Sequence, residues 1–312
     1  MVKKMSANAS STDNDNINID RSIPFQSRLC CTSCRSDLEA EEDSLVCVNC
    51  STRYPVKNNI PLFSFDYIQS KGVESSKEKK DRSLTARKLP LLKKIYMLLT
   101  PPSFMFLQRG EDRLEHFLKE QYSNIENPFI VDIGAGAKRW QNVMSVDIYN
   151  YNGVDYCAYA ERLPFKDNSV DMLISLSAIE HFKSMRNVYE EFMRVIKPGG
   201  IIFISAPFIY PFHAEPSDYH RWSANGLRDD FNCIEEIESG GYVGPHSAMH
   251  AVLSSYFSWM LSFGNHSLYM IINLFFGWLL FPLQIADRLR GQYRKPTPVD
   301  AIVYFVGKKK NI

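Results

Sequence analysis

Neither sign of charge is in excess: 36 Lys and Arg stand against 35 Asp and Glu, a formal net charge of +1. That balance argues against a bulk electrostatic hold on nucleic acid, which needs a basic surplus. Residues 1–24 carry no apolar stretch of the kind an export signal requires. The polar run SANASSTDNDNINID is expected to be a disordered tail, which leaves the cytoplasm as the default compartment. A full membrane-crossing run is also missing. The longest apolar stretch, Leu268 to Leu283, is sixteen residues interrupted by Asn273, Gly277 and Pro282, and a bilayer asks for about 20. The seven cysteines do not spread as a disulfide framework, because four of them fall in two CxxC pairs. What is present is 312 residues, 45% of them hydrophobic. That is enough to bury a sizeable core in two domains or one large one.

The chemistry concentrates between Phe129 and Pro207. In FIVDIGAGAKRW, the apolar run Phe129-Ile130-Val131 ends on Asp132, and Gly134 and Gly136 follow. A buried strand breaking into a glycine turn is the local chemistry of a nucleotide-type site, since a ligand reaches the backbone only where no Cβ intervenes. Val143 to Asp147 (VMSVD) repeats the pattern and ends in a carboxylate placed to accept the two hydroxyls of a ribose. Val170 to Ser175 reads as a strand and Met185 to Ile196 as a helix stopped by Lys197-Pro198-Gly199-Gly200. Ile201 to Ser205 is a further buried strand. The alternation predicts a parallel sheet covered on both faces.

The ordered set DIGAGA, VD, AERLPFKDNSVD, EH and RVIKPGG resembles the S-adenosylmethionine-dependent methyltransferases of the Rossmann-like class (type 11-like). The likeness covers about a quarter of the chain. It implies an α/β fold: a seven-stranded, mostly parallel sheet whose last strand is antiparallel. It further implies that Asp132, Gly134 and Gly136 surround the methionine moiety of S-adenosylmethionine, that Asp147 holds the ribose, that Ala160 and Glu161 lie beside the adenine, and that Ser177 belongs to the same cofactor site. Three departures stand out: Ala137-Lys138 in place of a small residue and a third glycine, Tyr159 where many members have an acidic residue, and a first helix shrunk to a few residues around Trp140.

Cys31-x2-Cys34 and Cys47-x2-Cys50, twelve residues apart, have the spacing of a closed, structural four-thiolate zinc site. Cys30 is adjacent, but Cys31 makes the better knuckle; Cys157 and Cys233 are expected to be small core residues. LCCTSC, LVCVNC and YPVKNNIPLF resemble the small zinc-ribbon family that activates methyltransferases of translation factors and tRNA. A zinc ribbon also precedes the catalytic domain of some ribosomal-RNA guanine methyltransferases.

Beyond the fifth strand, PFIYPFHAEPSDYHRWSANGLRDDF lies where substrates bind in open α/β sheets. It is similar to stretches in methyltransferase-like proteins encoded with bacterial polysaccharide genes. The candidate catalytic residues are Glu180, His181, His213 and His220, with Glu215, Asp218, Tyr219 and Arg221 near them. A His beside a Glu at a strand end can be a general base, a metal ligand or a mere lining residue. The Asn-Pro-Pro-aromatic signature of amide and exocyclic-amine methylation is missing, since Ser175 to Ala178 reads SLSA. Oxygen, carbon and ring-nitrogen acceptors remain.

The expected organisation is a tail (1–24), a zinc ribbon (25–66), linker and capping helices (67–122), a methyltransferase core (123–245), a hydrophobic helical insertion (246–298) and a last strand with a basic tail (299–312). Because Val299 to Val306 reads as the last strand of the same sheet, the insertion must return to the side it left. A single crossing is thereby excluded. Residues 251–283 are then an interfacial hairpin on a membrane, helped by Arg288, Arg290, Arg294 and Lys295, or a helical pair packed on the sheet or in a homodimer. The expected function is methyl transfer from S-adenosylmethionine to a small or lipid-linked, glycan-type acceptor at oxygen, on the inner face of the membrane. The alternatives are an RNA ring-nitrogen methyltransferase whose ribbon binds substrate, and a non-catalytic scaffold.

Overall fold

The computed structural model describes residues 26–66, 114–115, 117–118, 120, 127–136, 140–151, 153–213, 217–289 and 295–311, with backbone only at 288–289. Several expectations lie outside these residues: the tail, the linker and most of the capping helices, Ala137-Lys138, Glu215, Arg290, Arg294 and the Arg288 side chain.

Strands β5 (Ile130–Ile133), β6 (Met144–Asp147), β7 (Tyr156–Cys157), β8 (Val170–Leu176), β9 (Ile196–Pro207), β10 (Ile234–Val243) and β11 (Ile302–Lys309) form one sheet. Its order is β10-β11-β9-β8-β5-β6-β7. The β5–β6, β5–β8, β6–β7 and β8–β9 pairs are parallel, and β11 runs antiparallel to both β9 and β10. Only the last strand is therefore reversed, and the expected Rossmann-like α/β class holds.

Both faces of the central strands are buried, as their unbroken apolar runs require. On one face Val131, Leu173, Ile202 and Phe305 pack against Val188, Phe192 and Val195 of α1 (Met185–Val195) and Leu227 of α2 (Ala224–Asp230). On the other, Met172, Ile174, Phe203 and Tyr304 meet Leu114, Phe117 and Ala248. Ser223 caps α2, its hydroxyl accepting from Gly226 N at 3.1 Å. One boundary shifts: Lys197 to Gly200 already belong to β9, bulged out of register between Ile196 and Ile201, which pair with Val170 and Met172 of β8. Cys157 is buried as expected, but Cys233 is exposed at the turn before β10.

The small sheet β1 (Leu38–Glu41), β2 (Ser44–Cys47), β3 (Arg53–Lys57) and β4 (Ile60–Pro61) sits on the β7 edge. Leu62 bridges Cys157 in parallel, and Phe63 N and Ser64 N both donate to Cys157 O, at 2.7 and 3.1 Å. The edge strand is thereby covered, which removes a template for unwanted pairing.

At the carboxyl edge of the sheet, α3 (Pro245–Ser262) leaves from β10. Helices α4 (His266–Leu279) and α5 (Phe281–Leu289) follow before the chain returns to β11. Asp287 closes the base by accepting from His246 N and Ser247 N at 3.1 and 2.7 Å. Polarity in this insertion is reversed. The buried residues of α3 include His250, Ser254, Ser258 and Ser262, and Gly277 is the buried residue of α4. Outward stand Trp259 (70% exposed), Phe263 (90%), Ile271 (65%) and Phe275 (61%). No described helix is long and apolar enough by itself to cross a membrane, and α4 with α5 passes that test only as a pair bent by 46°.

Candidate active site

The carboxyl ends of β5, β6 and β8 meet around the glycine turn. Gly134 and Gly136 both adopt left-handed backbone, φ +76° and +57°. Gly134 N and Ala135 N donate to Val146 O at 2.9 and 3.1 Å, holding the turn against β6. Asp147 is buried; its Oδ2 accepts from Gly136 N at 2.9 Å and its Oδ1 from Tyr149 N at 3.0 Å. A carboxylate pinned by two backbone donors at a strand tip is pre-set for hydroxyl recognition. Asp132 is buried one strand away. Ala160 is buried, Glu161 is half-buried, and Ser177 follows β8 with its hydroxyl enclosed and without a partner among the described residues. The hydroxyl of Tyr159 donates to Asp66, 3.3 Å from each carboxylate oxygen. The ribbon thus brings a carboxylate to the neighbourhood where the sequence itself has a tyrosine.

A second group lies past β8. Glu180 is fully buried, and neither carboxylate oxygen has a hydrogen-bond donor among the described residues. His213 Nε2 stands 3.5 Å and His181 Nε2 3.9 Å from its Oε1. His181 Nδ1 is held by Ser217 O, while His213 Nδ1 faces Asp218 Oδ2 at 3.4 Å. Arg221 clamps Asp218 with both terminal nitrogens and holds its carboxyl low, at about 2, against the opposing effect of burial. Glu180 is the main cause that raises His213 above the ordinary imidazole value, again against burial. His220 stays outside this cluster, its Nε2 enclosed without a partner among the described residues.

The four ribbon cysteines converge. Cys31–Cys50, Cys34–Cys47 and Cys34–Cys50 sulfurs are 3.6, 3.3 and 3.5 Å apart. A tetrahedron of thiolates at the usual zinc–sulfur distance has edges of roughly 3.8 Å, so the set fits that ion with a small expansion. The two knuckles are copies. Arg35 N and Ser51 N donate to Cys31 O and Cys47 O at 2.9 and 3.0 Å, and both residues have left-handed φ. Cys30 points away and donates to Phe165 O at 3.2 Å.

One feature escaped the sequence reading. Arg35, fixed by its knuckle, reaches Glu191 on α1 at 3.0 Å and Leu163 O at 3.1 Å; Glu191 in turn accepts from Leu163 N at 2.6 Å. The available signal was a glutamate on the apolar stripe Val188, Phe192, Val195 of a helix.

Comparison with known proteins finds partial likenesses. Residues 131–204 match the family described as "Methyltransferase domain". Sterol 24-C-methyltransferase of Aspergillus fumigatus is 29% identical over 114 residues, which is 28% of this chain and 30% of that protein. A bovine (Bos taurus) protein named probable tRNA methyltransferase 9B is 31% identical over 125 residues, 34% of this chain and 26% of its own length. The chain therefore spans about a third or less of these relatives. Among solved structures, phosphoethanolamine N-methyltransferase 2 of Haemonchus contortus with S-adenosyl-L-methionine matches at 16% identity and a TM-score of 0.42. That match covers 74% of this chain and 60% of the other.

Proposed function

We propose that this chain transfers the methyl group of S-adenosylmethionine to an oxygen of a small, lipid-linked acceptor of the glycan-precursor type, at the cytoplasmic face of a membrane. The observation that carries the lipid-linked part is the reversed polarity of the α3–α4 hairpin, rooted at the sheet edge that also bears Glu180 and His213. Small residues between helices and large apolar ones outside are the pattern of helices packed in lipid. Both ends of the hairpin are tied to the sheet, so it dips into one leaflet and returns. The named sterol methyltransferase relative also acts on a lipid.

Asp132, Gly134, Gly136 and Asp147 would hold the amino-acid and ribose ends of the cofactor, with Ala160, Glu161 and Ser177 toward the rest of it. When bound, the cofactor supplies a methyl already activated on sulfonium, so the residues chiefly align the acceptor and exclude water. Cys31, Cys34, Cys47 and Cys50 would hold one zinc that sets the ribbon's fold.

The test is incubation of the purified chain with methyl-labelled S-adenosylmethionine, a membrane lipid extract and total RNA. Label is expected in a solvent-extractable product that survives mild base, as an ether does. Label in RNA overturns the acceptor class, and label in neither makes the chain a non-catalytic scaffold.

A further inference from the structure

We infer that Glu180, His181 and His213 form a binding site for a divalent transition cation on the acceptor side of the methyltransferase domain. Cation binding itself stands on the geometry alone; its use in catalysis rests on the proposed acceptor oxygen.

The argument starts from the carboxylate. Glu180 is completely buried and finds no hydrogen-bond donor among the described residues. An ionised carboxylate in that position is strongly unfavourable unless a positive charge stands beside it. What stands beside it is two imidazoles, and each has its far nitrogen already committed. His181 Nδ1 lies against the Ser217 carbonyl and His213 Nδ1 against Asp218 and the Pro211 carbonyl. With those acceptors taking the Nδ1 protons, a neutral ring turns its Nε2 lone pair to Glu180, and a bound cation would replace the Nε2 proton that the carboxylate otherwise attracts. The second-layer acceptors on both rings are the arrangement that fixes metal-binding histidines elsewhere.

Distances separate the two ways of resolving that convergence. Protonated imidazoles bonded to the carboxylate would sit about 2.7–2.9 Å from it. The observed separations are 3.5 and 3.9 Å, and one ligand atom from each of the three residues lies within 4.8 Å of the others. Two ligands on one ion at ordinary metal–nitrogen and metal–oxygen lengths are roughly 3.4 Å apart. Two nitrogen donors and one oxygen favour zinc, manganese, cobalt or iron(II) over magnesium or calcium. Three protein ligands leave positions open, and the loop that supplies His213 is the one past the carboxyl end of β9 where an acceptor enters.

In the proposed reaction the acceptor hydroxyl occupies an open position and becomes more acidic. Its oxygen pair forms the new C–O bond while the S–CH3 bond breaks, and its electrons return to sulfur as a neutral thioether. The hydroxyl proton leaves to water, which balances the loss of the sulfonium charge.

The experiment is a cobalt(II) titration of the full, zinc-replete chain, followed by visible absorption, with S-adenosylmethionine binding and thermal melting recorded on the same samples. The wild type should take up one equivalent with ligand-field bands and no thiolate charge-transfer band, and its melting temperature should rise. Glu180→Gln and His213→Gln should lose that uptake while still binding S-adenosylmethionine. Asp218→Asn, which weakens both the hold on the His213 ring and the Arg221 clamp, should weaken uptake about 10–100-fold. No uptake outside the thiolate site, or equal uptake by Glu180→Gln and His213→Gln, overturns the site. Cobalt uptake without methyl transfer to lipid leaves the site standing and removes the acceptor reading.

Discussion

Gly134 and Gly136 share a left-handed backbone but not a neighbourhood. A Cβ on Gly134 would meet Ala178 Cβ at 2.4 Å, whereas one on Gly136 would meet nothing within 4 Å. Gly136→Ala should therefore cost only the backbone penalty, about 1–2 kcal/mol, and keep the fold. Its methyl would project into the open space where a cofactor has to lie, so calorimetry should show S-adenosylmethionine binding weakened at least about tenfold. Gly134→Ala should be the more destabilising of the pair in denaturant unfolding; the reverse order would show that the turn is not packed as described. At the ribbon, Cys34→Ser should abolish stoichiometric zinc in metal analysis, and Cys30→Ser should leave it intact. Equal loss in both would put Cys30 among the ligands. These residues were legible in the sequence because glycine turns and thiolate pairs act through fixed local spacing. The convergence of His213 on Glu180 was not, since 33 positions separate them and only the path of residues 208–213 after β9 brings them together.

Among the elements, the hairpin shows what composition conceals. The sequence displays Leu268 to Leu283 as an apolar run, which draws the eye from the inward turn of Ser254, Ser258 and Ser262. The i, i+4, i+8 spacing of those serines was the readable trace. Trp259→Ser, Phe263→Ser and Phe275→Ser together remove exposed apolar area without touching the helix–helix contact. The triple variant should keep its melting temperature and lose flotation with anionic vesicles. Unchanged flotation, or a wild type that never floats, would assign this face to a second copy of the chain. Ser258→Leu tests the inner side. Forcing a larger side chain between α3 and the rest of the hairpin should destabilise by about 1–3 kcal/mol, measurable as a lower melting temperature in detergent-free buffer.

At the scale of the whole molecule, the ribbon and the sheet share one apolar cluster, which includes Leu29, Leu45, Tyr54 and Phe63 with Phe129 and Phe165, and polar clasps join them further. Asp171 gathers Phe129 N at 2.8 Å, Lys197 at 2.6 Å and Arg28 at 3.3 Å. Burial alone would raise its carboxyl, but these partners outweigh it and hold the value below the ordinary 3.8. The stabilisation is thus complete above about pH 4 and fades as pH falls through the lower folded value. Asp171→Asn should lower stability by on the order of 1–2 kcal/mol at pH 7, and by progressively less as pH falls below the ordinary carboxylate value through the lowered folded one. A pH-independent difference would show that the clasp is not ionic. The order of the parts along the chain was readable from motif order, whereas the docking of the ribbon on β7 was not, because it depends on backbone groups of Cys157 and on Arg35 meeting Glu191. That docking has a consequence for how the protein behaves when scarce. Two separate bodies lose roughly 4–15 kcal/mol of translational and rotational freedom on associating, so their union would depend on concentration. Joined in one polypeptide, ribbon and sheet meet at the same effective concentration whether a cell holds ten copies or ten thousand.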